Sequence, residues 1–249
     1  MRAFRAFWAA CKDAFDELRW IAVNNFVWAV LSLPLLIFAF NAFIAGFWLF
    51  AIILSLLAVI PLGPATAALV AVSYRISDGL AIKWSDYFSA MRQYAVSGWK
   101  VMGIWMVVLL FILLDLYFYS GFANAFGFGM TVFWFYVMVL WFGALIYVFP
   151  LMILQEKFNL RQLARNTFLL TMGRPIFTLI TLALLILVLV ISSFVPILPV
   201  FFTFGFMAQC SMRATMELVK EAQERRAELE EKNKPKEPAE RIPPWRMKQ

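Results

Sequence analysis

The stretch WIAVNNFVWAVLSLPLLIFAFNAFIAGFWLFAIILSLLAVIPLGPATAALVAVSY, residues 20–74, contains no charged side chain. About 20 apolar residues suffice to cross roughly 30 Å of hydrocarbon. The run is therefore too long for two minimal spans and awkward for three. Three crossings would also carry the basic N-terminus to the side opposite the other basic segments. Two long helices fit better, the second broken around Pro61-Leu62-Gly63-Pro64. Proline removes a backbone donor and crowds the preceding turn, and the neighbouring glycine adds freedom. A re-entrant piece is the alternative here, provided neighbouring helices shield its open backbone.

Outward from this run, the apolar segments are Trp20–Phe40, a second from Phe43, Val101–Tyr119, Met130–Leu154, Ile176–Phe194 and a short Ile197–Met212. The whole chain of 249 residues is 63% hydrophobic and 15% charged, with mean hydropathy +0.80. A water-soluble domain carries about a quarter charged residues. The expected fold is thus all-α: a polytopic membrane helical bundle of about six transmembrane helices, with interfacial amphipathic helices, in contact with a lipid bilayer.

Basic residues suggest the orientation. Four lie in the N-terminal segment (Arg2, Arg5, Lys12, Arg19) and four between the second and third spans (Arg75, Lys83, Arg92, Lys100). Four more lie between the fourth and fifth (Lys157, Arg161, Arg165, Arg174), and ten lie from Arg213 onward, which accounts for all 22. The opposite connections, near Asn41, Ser120–Gly127 and Val195–Pro196, hold none. Lysine and arginine are retained on the cytoplasmic side. Both termini are therefore expected to face the cytoplasm, in a cytoplasmic membrane. The net charge of +7 then reflects retained loop charge and attraction to anionic lipid, and no nucleic-acid partner is expected.

Four segments follow. Residues 1–19 read as an amphipathic helix, not a cleavable signal: Phe4, Phe7, Trp8, Cys11, Phe15 and Leu18 recur at spacings of three and four. Such a face suits the headgroup layer, or else packing on the chain's own loops. Residues 20–212 form the six-helix domain. Its two inner loops, Trp84–Trp99 and Leu160–Gly173, each suggest a short amphipathic helix. Residues 213–232 carry mixed charge at helical spacing, as a solvated extension of the last span does. Residues 233–249 are proline-rich and expected to be disordered. Trp20, Trp84, Trp99 and Trp141 fall near predicted boundaries and are read as interfacial anchors. Cys11 and Cys210 both fall on the reducing side, which argues against a disulfide.

Asp115 stands apart, alone among the acidic residues in lying away from the predicted cytoplasmic side. A carboxylate in a membrane segment is costly and often functional. Three readings are open: a place near the outer headgroups, a structural hydrogen bond (Tyr117, Tyr119 or Asn124 as donor), or coupling to an ion or substrate. Asn24, Asn25, Gln209, Thr171, Thr178 and Thr181 are read as hydrogen-bonding between helices. Enzymatic chemistry needs a nucleophile with its base, a carboxylate pair or a metal cluster. A chain without histidine and with one isolated intramembrane aspartate suggests none of these. It is expected to be no enzyme and to need no cofactor or metal.

Three stretches resemble the YesL family of bacterial membrane proteins, a group defined by a domain of unknown function. They are Asn25-Phe26-Val27-Trp28 leading to Leu33-Pro34; Gly63-Pro64-Ala65-Thr66-Ala67-Ala68-Leu69, the most specific; and Asp86-Tyr87-Phe88-Ser89-Ala90-Met91-Arg92 followed by Trp99-Lys100. In that family the Leu-Pro element lies close to the second motif, whereas residues 35–62 separate them here. The resemblance implies a cytoplasmic-membrane protein found beside carbohydrate uptake and utilisation systems, with subunits of a sugar transporter as partners. It carries over no catalytic residue. The leading expectation is a non-enzymatic accessory protein. The alternative is a small transporter or channel, using Asp115 and the Pro61–Pro64 break.

Overall fold

The computed structural model describes residues 2–232. Among them are nine α-helices and no strand: α1 (Arg2–Asp16), α2 (Leu18–Ile44), α3 (Trp48–Ser77), α4 (Trp84–Gln93), α5 (Ala95–Ser120), α6 (Ala125–Leu154), α7 (Leu160–Gly173), α8 (Pro175–Ser193) and α9 (Phe204–Lys232). A π-helical turn, Pro199–Thr203, leads into α9. The segment 233–249, expected to be disordered, lies outside the described residues.

Among the described residues, five helices are long and apolar enough to cross a membrane: α2, α3, α5, α6 and α8. They expose large side chains such as Phe111, Phe128, Phe133 and Leu187 all along their outer faces. Water would not tolerate apolar surface on this scale, and lipid requires it. The chain is an all-α, multi-pass membrane protein.

The charge-free run becomes two long helices, as its length required. The reversal between α2 and α3 falls at Ala45–Phe47, where Gly46 adopts φ +81°. Only glycine enters that region without strain. The expected break at Pro61–Pro64 does not occur, because α3 runs helically from Trp48 to Ser77 with both prolines inside. The carbonyl that an N–H at position 64 would have bonded belongs to Ile60. It accepts the Trp99 indole N–H of α5 at 2.7 Å instead. A neighbouring helix thus supplies the donor that proline lacks, and the backbone has no reason to open.

The expected short sixth segment, Ile197–Met212, is helical throughout. It passes through the π turn into α9 and so is not counted among the five uninterrupted apolar helices; the same helix runs on into charged sequence. Asn25 of α2 holds this return segment from both sides. Its Nδ2 donates to the Pro199 carbonyl at 2.9 Å, and its Oδ1 accepts from Gly205 N at 2.6 Å.

Capping residues place the shorter elements. Asn124 Oδ1 accepts from Gly127 N at the start of α6, and Asn159 Oδ1 from Gln162 N at the start of α7. These side chains satisfy orphan N–H groups of a first helical turn. The two amphipathic inner-loop helices are present as α4 and α7. The stretch from Ala95 to Trp99, expected to be part of the first, already belongs to α5.

The N-terminal helix packs on the protein through its alanines and leaves most of its expected apolar face uncovered. Ala3, Ala6, Ala10 and Ala14 are buried, while Phe4, Trp8 and Phe15 stay exposed and Phe7 and Cys11 are half-covered. The alanine stripe lets α9 approach closely, and charged pairs tie the two helices together. Asp13 receives two hydrogen bonds from Arg213, at 2.5 and 2.8 Å, and a third from Gln209 at 2.7 Å. Arg5 pairs with Glu217 and Arg2 with Glu221. The extension after Arg213 is therefore not wholly solvated: Ala214, Thr215, Leu218 and Glu221 are buried, and α9 becomes continuously exposed only from Ala222 to Glu230.

Candidate functional site

Small residues at 63–69 set how closely four helices can meet. At Gly63, α3 touches α5 at Gly98 backbone to backbone; a Cβ on either glycine would lie 2.7 Å from the other's carbonyl oxygen. Interfaces of this kind are how membrane helices gain packing without large side chains. Pro64, Ala65, Ala67, Ala68 and Leu69 are all buried. Thr66, half-buried, accepts the Trp28 indole N–H of α2 at 3.0 Å, and Trp28 lies over Phe204 with ring centroids 4.3 Å apart. The Ala65 carbonyl accepts the Tyr87 hydroxyl of α4 at 3.2 Å. Burial pushes the Tyr87 phenol far above its ordinary value, so it remains a donor.

This joint gathers the motif stretches into one place. Asn25–Trp28 reaches it from α2, Asp86–Arg92 from α4 and Trp99 from α5, all converging on 63–69. Residues far apart in sequence meet because α3 packs against each of those helices at the same level.

Beside the joint, a half-open cavity of about 250 Å³ lies between the end of α3, α4 and Ile153 of α6. Its polar lining is Tyr74, Arg75, Asp86, Ser89, Gln93 and Tyr94. Arg75 donates to the Ala81 carbonyl at 2.7 Å, and its Nε stands 3.3 Å from Asp86 Oδ2. That same oxygen accepts from Lys83 N at 2.8 Å, closing the first turn of α4. Burial first, and the adjacent Tyr74 second, push the Tyr94 phenol up. The lining therefore offers a guanidinium, hydroxyls and an amide. Its one carboxylate is already committed to a cap and an ion pair. Such a cavity suits hydrogen bonding to a small polar group or to a partner's side chain. Among the described residues no cluster of His, Cys, Asp or Glu has metal-binding geometry.

Asp115 lies elsewhere. It sits on α5 near the end opposite Gly98, half-buried, with no hydrogen-bond or ion-pair partner among the described residues. None of the three expected donors serves it: Asn124 caps α6, Tyr117 packs on Trp48, and Tyr119 packs on Phe118, Phe122 and Phe126. At a rise of about 1.5 Å per residue, Gly98 and Asp115 are roughly 25 Å apart along α5. Gly63 is held at Gly98, so the proline segment and the aspartate do not meet.

Of the other polar residues, Asn25 joins helices as expected, and Thr178 bonds the Tyr147 hydroxyl of α6 at 2.8 Å. Gln209 joins α9 to Asp13 and to Ser77 of α3. Asn24, Thr171 and Thr181 instead bond carbonyls of their own helices. Trp99 and Trp141 act as donors between helices, the latter to the Trp105 carbonyl at 3.2 Å. Arg75 and Gln93 were not singled out from sequence, Arg75 having served only as a marker of orientation. Its place directly after the charge-free run is the signal that points to it. No family model matches the chain, and neither a curated protein nor a solved structure does.

Proposed function

We propose that this chain is a non-enzymatic accessory protein of a cytoplasmic membrane, acting beside a carbohydrate uptake system with both termini facing the cytoplasm. One observation carries the accessory reading: several polar side chains within the apolar helices bind the helices to one another. Asn25, the Trp28–Thr66 pair, the Tyr147–Thr178 pair and Trp99 all form such joints. They make a scaffold, with the open cavity at Arg75 and Asp86 as its polar recess. The carbohydrate link rests on the resemblance of residues 25–34, 63–69 and 86–100 to the YesL family. The orientation rests on the distribution of lysine and arginine.

Crosslinking and pull-down from native membranes test the role. The expected result is co-purification of sugar-transporter subunits, together with a sugar-growth defect on deletion. Neither appearing would reject it.

The competing transporter reading needs one path past both Asp115 and Pro61–Pro64, and about 25 Å of α5 separates them. Asp115→Asn is accordingly expected to leave solute flux in proteoliposomes at the wild-type level. A loss of flux on that substitution would favour transport over scaffolding.

A further inference from the structure

Three guanidiniums surround one buried carboxylate where α9, α1 and the start of α8 meet. Arg2 Nη1 stands 2.6 Å from Glu221 Oε2, Arg225 Nη2 stands 3.1 Å from Oε1, and Arg174 Nη2 contacts Oε1 as well. Three positive charges against one negative leave this cluster two charges in excess. The neighbouring Glu217 does not correct the balance, being paired with Arg5.

Each guanidinium offers five N–H donors in a planar fork. Here each directs one nitrogen at Glu221, and no other described residue pairs with these three side chains. The Glu221 side chain is 10% exposed, whereas those of Arg2, Arg174 and Arg225 are 46, 39 and 62% exposed. The carboxylate therefore anchors the cluster from beneath and leaves the cations facing outward. Immediately after Arg174 comes Pro175, the first residue of α8, and the exposed apolar Ile176 and Leu179 follow. Unbalanced positive charge and uncovered apolar surface thus adjoin on one membrane-spanning element.

That combination complements a molecule with an anionic phosphate at one end and hydrocarbon at the other. Guanidiniums match phosphate oxygens in geometry as well as charge, and basic pockets beside membrane helices are suited to lipid headgroups. We propose that Arg2, Arg174 and Arg225 form a binding site for the phosphate of one anionic phospholipid, whose acyl chains lie along the exposed face of α8. Glu221 holds the three side chains in place and does not touch the ligand.

The test uses the full chain in mild detergent, with lipid retention followed by native mass spectrometry as phosphatidylglycerol or phosphatidylcholine is added. One phosphatidylglycerol molecule is expected to be retained in preference to phosphatidylcholine. Arg225→Gln is expected to weaken that retention about fivefold, and Arg2→Gln with Arg225→Gln more strongly, since each cation near a lipid surface contributes about 1 kcal/mol. Arg225 is exposed and on the surface of α9, so its loss leaves the fold intact. Arg161→Gln with Arg165→Gln, on the exposed face of α7, serves as the control and is expected to change nothing. Equal weakening in the control would show general surface attraction and overturn the site. Equal retention of the two lipids would also overturn it. So would displacement by inorganic phosphate at the same concentration, which would make free phosphate the ligand.

Discussion

Gly63→Ala is expected to lower the thermal stability of the detergent-solubilised protein sharply, and Gly98→Ala to do the same. The added Cβ would lie 2.7 Å from the Gly98 carbonyl oxygen and 2.8 Å from its carbon. These are backbone atoms and cannot rotate aside, so α3 and α5 must move apart. Overpacking of this kind costs about 1–3 kcal/mol. Separation also withdraws Trp99 from the Ile60 carbonyl, adding about 1 kcal/mol for a lost hydrogen bond. The two substitutions share one contact, so the double variant is expected to fall short of the sum of the singles. Gly129→Ala in α6, where a Cβ meets nothing within 4 Å, provides the comparison and should leave the transition in place. An unfolding transition unchanged in Gly63→Ala would show that the helices do not touch there.

Arg213→Leu is expected to loosen the N-terminal helix. It removes two of the three hydrogen bonds received by Asp13 and leaves that carboxylate, 14% exposed, facing only the Gln209 amide. Breaking a fully buried pair from one side costs about 3–5 kcal/mol. Partial exposure of this pair reduces the expectation to about 2–3 kcal/mol. The readout is maleimide labelling of Cys11, half-buried on the same helix, in a Cys210→Ser background. Labelling should accelerate in Arg213→Leu and return toward its original rate when Asp13→Asn is added, because the amide needs no cation. Unchanged labelling in both would show that Arg213 does not hold α1.

The membrane helices were legible because hydrophobic length is a one-dimensional property. Residues 101–119, 130–154 and 176–194 needed only extension or trimming at their ends, where the chain leaves lipid and caps such as Asn124 decide the first turn. Helix continuity through Pro61 and Pro64 was not legible, since it depends on Trp99 arriving from another helix. The same holds for α1. Its aromatic spacing announced an amphipathic helix, but a stripe of alanines has too little hydrophobicity to identify the packed face by itself. That face becomes meaningful only when α9 is set against it. The helix over Ile197–Met212 was legible as apolar length, whereas its π-helical turn at Pro199–Thr203 was not. The carboxamide of Asn25, distant in sequence, is what binds that segment to α2.

For the candidate site the motif residues 63–69 were visible, and their role as a meeting point was not. Sequence order gives no hint that Trp28, Tyr87 and Trp99 share a neighbour. Asp115 attracted notice because it is charged, yet a charge near the end of a long helix can simply remain partly accessible. Arg75 is legible in the sequence only as a boundary charge, because its pairing with Asp86 depends on where α4 packs.

The fastening of α1 to α9 bears on how the protein is made. Asp13 and Arg213 are 200 residues apart in the chain. At synthesis rates of about 5–20 residues per second, roughly 10–40 s pass between the emergence of one and that of the other. Throughout that interval the newborn amino-terminal helix has no mate for its alanine side, while its tryptophan and phenylalanines are free to rest against lipid. Docking it is therefore a late event in assembly, and ribosomes halted before Phe204 would carry a chain whose first helix is still unlatched.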